Sequence, residues 1–153
     1  MIDRTPGRLA ALLLATLPVL AWAAGPTISD AWARATPPGL DVGAAYLTIT
    51  GGAAADRLVG VSTPVAAMAH LHTMDDAGGM ATMRAVDGID VPPGKRVVLA
   101  PGGLHVMLMG LTKALVAGQS FPLTLEFAKS GRQTVSVMIR PAGDAGPAAP
   151  VHH

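Results

Sequence analysis

"AHLHTMDDAGGMATM" (residues 69–83) divides into an alternating run, a turn and a second run. In "AHLHTM", His70, His72 and Met74 fall two apart, with Ala69, Leu71 and Thr73 between them. Residues two apart share one face of a strand, so the first set lines one face and the second set the other. "DDAGG" (75–79) supplies Asp and Gly, which tolerate the backbone angles of tight turns. The stretch therefore predicts a β-hairpin whose short turn folds Met80 and Met83 back beside His72.

Outward from this hairpin the same grammar repeats at intervals of about ten residues. Candidate strands are "ISDAWARA" (28–35), "AAYLTIT" (44–50), "DRLVGVS" (56–62), "AMAHLHTM" (67–74), "MATMRAV" (80–86), "KRVVLA" (95–100), "LHVMLM" (104–109), "FPLTLEF" (121–127) and "QTVSVMI" (133–139). "TPPG" (36–39), "DVPPG" (90–94) and "APGG" (100–103) punctuate them with the fixed φ of Pro and the positive φ of Gly. No stretch keeps a helical period between capping signals, and no internal repeat occurs. The pattern is that of an all-β sandwich, and the expected fold is a single-domain cupredoxin-like or immunoglobulin-like Greek-key β-sandwich.

The N-terminus reads as a targeting segment. Arg4 and Arg8 precede the apolar run "LAALLLATLPVLAWA" (9–23), which ends in the small-residue pattern Ala21-Trp22-Ala23. At about fifteen residues, with Pro18 inside, the run is short for a membrane span, which needs roughly 20. We expect a signal peptide over 1–23, a folded domain over 24–140 and a flexible tail over 141–153, "PAGDAGPAAPVHH", with little to bury. The exported chain then carries nine basic and nine acidic residues, which gives no pull toward nucleic acid, and no membrane span after cleavage. It has no Cys, so core packing must hold it without disulfides.

The whole chain owns five His and eight Met. Met alone reads as core filler, and a lone His as a hydrogen-bonded structural residue. Their combination at strand spacing in a cysteine-free exported chain points to metal. In "LHVMLMG" (104–110), His105, Met107 and Met109 would share a face, with Val106 and Leu108 opposite. Thioether sulfur is a poor ligand for Mg, Mn or Zn and a good one for Cu(I), and imidazole binds copper in either oxidation state. Two His and two Met would make a neutral, filled, carrier-like site.

His72, ten intervening residues, Met83, twenty-one more, His105, one more, Met107: this is the H-x10-M-x21-H-x-M pattern of the periplasmic copper chaperones called PCuAC. "ISDAWARATPPG" (28–39), "GAAYLTI" (43–49), "DRLVGVSTP" (56–64), "MRAVDGIDVPPG" (83–94) and "PGGLHVMLMGL" (101–111) resemble segments of that family, so the likeness spans about 28–139. The resemblance implies a cupredoxin-like β-sandwich with a Cu(I) site of His72, Met83, His105 and Met107. It also implies a monomeric, non-enzymatic periplasmic protein that delivers copper to the Cu(A) centre of cytochrome c oxidase, alone or with a thioredoxin-like partner of the Sco type. His70, Met74 and Met80 are auxiliary candidates; Met109, further along its strand, reads as a core residue. His152 and His153 offer a minimal tail site for Cu(II).

Three other readings compete. A cupin-like metalloenzyme would use His70, His72, Asp76 and His105 around Mn, Fe or Zn, but "HLHTMDD" and "PGGLH" only approximate the cupin motifs, and Met83 and Met107 stay unexplained. General periplasmic copper buffering would need the same ligands as delivery. A non-metal binding module of immunoglobulin type would make every Met a core residue and give no reason for the spacing.

Overall fold

The computed structural model describes residues 25–75, 77–80 and 82–143. The expected signal peptide, Asp76 and the tail with His152 and His153 lie outside the described residues. The strands are β1 (Thr27–Arg34), β2 (Val42–Thr50), β3 (Asp56–Ser62), β4 (Ala66–Asp75), β5 (Thr82–Ala85), β6 (Ile89–Val91), β7 (Arg96–Leu99), β8 (His105–Leu111), β9 (Ser120–Phe127) and β10 (Gly131–Arg140). Among the described residues the one helical element is a 3-10 turn, Ala77–Gly79, and no helix is long and apolar enough to cross a membrane.

Every strand anticipated from alternation is present, and β6 is an addition. Its three residues sit between "DG" and "PPG", where turn chemistry masks so short a run. Ile89 and Val91 nevertheless point inward and are buried, while Asp90 between them is exposed.

Hydrogen bonding runs in one continuous series, β5-β4-β8-β2-β1-β10-β9-β3-β6. β2 is long enough to serve two neighbours along one edge: residues 42–45 pair with β8 and residues 47–50 with β7. The β1–β10 pair is parallel and the others are antiparallel. The series curls until β3 contacts β4, which gives a cupredoxin-like β-sandwich closed over one core.

That core takes alternate residues from each strand. Ala45, Leu47 and Ile49 of β2, Leu58 of β3, Leu71 of β4, Val106 and Leu108 of β8, Leu123 and Leu125 of β9 and Val137 of β10 form one buried cluster. Full burial of a Leu or Val contributes about 1.5–3 kcal/mol, so this set fixes which face of each strand is inside. A one-residue slip of β4 or β8 would turn its His and Met into the core. The outward orientation of His70, His72, His105 and Met107 is thus a by-product of burying Leu71, Val106 and Leu108.

Candidate metal centre

Three adjacent strands build the site. β8 runs antiparallel beside β4 in an unbroken register: Met68 opposes Met109, His70 opposes Met107, and His72 opposes His105. On the other side of β4, β5 places Met83 opposite Met74 and Ala85 opposite His72. His72, Met83, His105 and Met107 therefore share the face turned away from the core. Met83 stands one rung from His72, on the diagonal, within reach of a long side chain.

This corrects the expected hairpin in one respect. The turn is not tight: residues 76–81 separate Asp75 from Thr82, and Gly78 and Gly79 both take positive φ inside it. The longer connection shifts the register so that Met83 meets Met74 rather than His72. Met80 lies in the connection, 73% exposed, and is not folded back against His72.

The two His side chains are prepared as donors. Their ring centroids are 5.9 Å apart, the planes inclined by 54°. His105 is buried, and its Nδ1 lies 2.9 Å from the carbonyl oxygen of Gly103. A carbonyl oxygen only accepts, so Nδ1–H donates and Nε2 keeps the lone pair. Nε2 is buried and makes no hydrogen bond, and the same is true of His72 Nδ1. An unpartnered buried imidazole nitrogen is costly, and two on one face are what a metal would satisfy. Fixing a ligand ring through its other nitrogen is the usual outer support of a metal-binding His.

The Gly103 carbonyl also accepts from the Met74 N–H at 3.3 Å. It thereby ties the 100–104 turn to β4 and holds the His105 ring against the strand that carries His72. Sequence reasoning had no signal for this carbonyl beyond the turn motif "APGG" itself.

Burial grades across the site. His105 and Met107 are 5% and 8% exposed, His72 and Met74 are half-buried, and Met83 on the edge strand β5 is 55% exposed. Burial, followed by the neighbouring His105 and His70, holds the His72 imidazole below its ordinary pKa. His72 is thus kept neutral, the form that coordinates. His70 is exposed, its ring 6.5 Å from that of His72. Among the described residues no three His, Asp or Glu side chains gather as metal ligands, and Asp76 of the cupin-like set lies outside them.

Met109 is a further correction. It is half-buried on the same outer face as Met107 and belongs to no core cluster. Beyond Met107 this face continues into Ala44 and Tyr46 of β2 and Trp32 of β1. Trp32 and Tyr46 stack at 4.6 Å, with Arg140 over Trp32 and Arg34 over Tyr46. No motif marks this aromatic wall in the sequence, but alternation along "AAYLTIT" turns Tyr46 to the face opposite Leu47.

Comparison with known proteins places this arrangement. The family model described as "Putative lipoprotein LpqE-like" matches residues 26–139. A relative named "Putative lipoprotein Lxx21020", from Leifsonia xyli subsp. xyli (strain CTCB07), is 35% identical over 117 residues, covering 76% of this chain and 70% of that protein. Among solved structures, the copper-bound PCuAC domain from PmoF2 superposes with a TM-score of 0.66 at 28% identity, covering 78% of this chain and 96% of that one. The solution structure of CuI-DR1885 from Deinococcus radiodurans gives a TM-score of 0.63 at 34% identity, over 78% of this chain and 81% of that one. With the match running through nearly the whole sandwich, the chain belongs to the LpqE-like family, of the PCuAC type.

Proposed function

We propose that this protein is a periplasmic copper chaperone that holds Cu(I) through His72, Met83, His105 and Met107. The observation that carries the reading is the pair of unpartnered buried nitrogens, His72 Nδ1 and His105 Nε2, on a face that also presents Met107 and Met83. Two imidazoles and two thioethers form a neutral, soft donor set that suits Cu(I) and disfavours the harder divalent ions. The copper-bound PCuAC domain and the CuI form of DR1885 among its structural relatives support the same cargo. The lipoprotein names of its relatives support export, in keeping with a signal peptide over 1–23 ahead of a domain over 24–140.

The burial gradient suits transfer. His105 and Met107 form the floor, while Met83 stands on an exposed edge strand where an incoming ligand can replace it first. Copper can then pass by stepwise exchange without being free. The recipient we propose is the Cu(A)-carrying subunit of cytochrome c oxidase, directly or through a Sco-type thioredoxin-like protein. No step requires catalysis by the chain.

Titrating Cu(I) against a competing chelator tests the reading with the natural chain and with Met83→Leu, Met107→Leu, His70→Ala and Asp76→Ala. Weaker binding by both Met variants supports it. Binding equal to the parent in both overturns it. Incubating the copper-loaded chain with a metal-free Cu(A) domain separates delivery from buffering, because a buffer retains its copper.

A further inference from the structure

The His and Met register does not stop at the proposed ligands. Along β4, Met68 precedes His70 by two residues, and along β8, Met109 follows Met107 by two; the unbroken register sets Met68 directly opposite Met109. The outer face therefore carries four successive cross-strand pairs: Met74–Met83, His72–His105, His70–Met107 and Met68–Met109. The sequence gives Met68 no role and reads Met109 as a core residue. Neither belongs to the core cluster, and Met68 is 54% exposed. Gap-filling in an irregular core, the ordinary use of Met, does not account for them.

We propose that Met68, Met109 and His70 form a second, outer station for Cu(I), one rung beyond the site of the proposed function. The inference rests on that reading of the inner site. Side chains directly opposed across an antiparallel pair have Cβ atoms about 4.5–5.5 Å apart, and diagonal neighbours stay within reach of long side chains. Two thioethers on one rung and an imidazole on the next can thus converge on one soft monovalent ion. Cu(I) accepts such a neutral sulfur-rich set, and a hard divalent ion does not.

His70 gives the station its purpose. It lies directly opposite Met107 and beside Met68 on its own strand, so it borders both stations. Its exposed imidazole can hand an ion from the open Met68–Met109 pair to the buried Met107 and His105. The outer station is a port of entry, weaker than the inner site because its ligands are more exposed and lack the fixing hydrogen bond that Gly103 gives His105.

The test is a titration of the purified full chain, its methionine methyls labelled with carbon-13, with Cu(I) under reducing conditions. The first equivalent is expected to shift the Met83 and Met107 methyl signals, and the second those of Met68 and Met109. The double variant Met68→Leu with Met109→Leu, which keeps volume and apolarity, should stop at one equivalent. His70→Ala, which removes a ligand of the outer station and only a neighbour of the inner one, should weaken the second equivalent more than the first. Saturation of the natural chain at one equivalent, or a second that leaves the Met68 and Met109 methyls unmoved, overturns the outer station. If Met68 and Met109 shift while Met83 and Met107 never do, the four-ligand inner site fails and the outer station stands.

Discussion

His72 and His105 face each other directly across the β4–β8 ladder, each with one buried ring nitrogen that no protein group satisfies. The two nitrogens, Nδ1 of one and Nε2 of the other, cost the metal-free fold stability and return it on metal binding. Replacing His105 by Ala should therefore abolish tight Cu(I) binding while leaving the metal-free protein's melting temperature within a few degrees of the parent. Chelator competition and thermal unfolding on the same samples check it. A large loss of stability with copper affinity intact would make His105 a structural residue.

The lowered pKa of His72 sets a pH dependence with a definite sign. The unfolded chain protonates His72 near the ordinary value of 6.5, while burial and the adjacent His105 and His70 keep it neutral in the folded chain to lower pH. The unfolded state then binds more protons, so stability of the metal-free protein falls as pH drops below about 6.5 and levels off below the folded pKa. Above 6.5 His72 contributes no pH dependence. Because Cu(I) competes with the folded-state proton, affinity should weaken only as pH falls through the lowered folded pKa, below 6.5. Chelator titrations at falling pH check it, and affinity that stays level until the chain acid-unfolds contradicts it.

Asp56 is the buried carboxylate that joins β3 to the β9–β10 turn. Burial pushes its pKa up, but the Ser130 hydroxyl and the N–H groups of Lys129, Arg57 and Ser130 all donate to it and hold it below the ordinary 3.8. The stability it contributes is present above pH 3.8 and is lost as pH falls through its folded pKa. Asp56→Ala leaves those donors unpaired and should cost about 3 kcal/mol. Denaturant unfolding at pH 7 checks this; copper affinity of the folded variant should not change.

Period-two alternation made most of this sheet legible, because burying Leu71, Val106 and Leu108 forces the intervening His and Met outward. The family resemblance carried by the H-x10-M-x21-H-x-M spacing then named His72, Met83, His105 and Met107, four residues that the structure brings to one face. What alternation could not supply was register. The length of the connection at 76–81 shifts Met83 by one rung, and only the pairing of β4 with β8 reveals that Met68 and Met109 oppose each other. The Gly103 carbonyl was equally illegible, since a backbone acceptor has no residue type to betray it. β6 escaped because three residues are too few to outweigh the turn signals around them.

Met83 and Leu108 should separate binding from folding. Met83 is 55% exposed on an edge strand, so Met83→Leu should change stability by no more than about 0.5 kcal/mol. It removes one thioether and should lower Cu(I) affinity at least about tenfold, the equivalent of ~1.4 kcal/mol. Leu108 is fully buried, and Leu108→Ala should cost about 2–5 kcal/mol by leaving a cavity. Equal effects of the two changes on either readout would contradict this division.

The turn at residues 100–103 should control the site without touching metal. Its Ala100 carbonyl accepts from the Gly103 N–H at 3.1 Å, Pro101 sets the first corner, and Gly102 takes φ of 86°. This is a type II turn, whose third position needs the positive φ that Gly adopts freely and a β-branched residue does not. Nothing lies within 4 Å of a Cβ at Gly102, so Gly102→Val acts through backbone strain alone. Relief of that strain must rotate the peptides on either side of Gly102 and so displace Gly103, whose own carbonyl accepts from both His105 Nδ1–H and the Met74 N–H. Loss of such an orienting bond typically costs about 10–100-fold in metal affinity. Gly102→Val should therefore weaken Cu(I) binding by that range although no ligand has changed, and Gly102→Asn, which tolerates positive φ, should restore most of it. Chelator competition on the two variants checks the pair, and parent-like affinity in Gly102→Val would mean that the Gly103 carbonyl does not position His105.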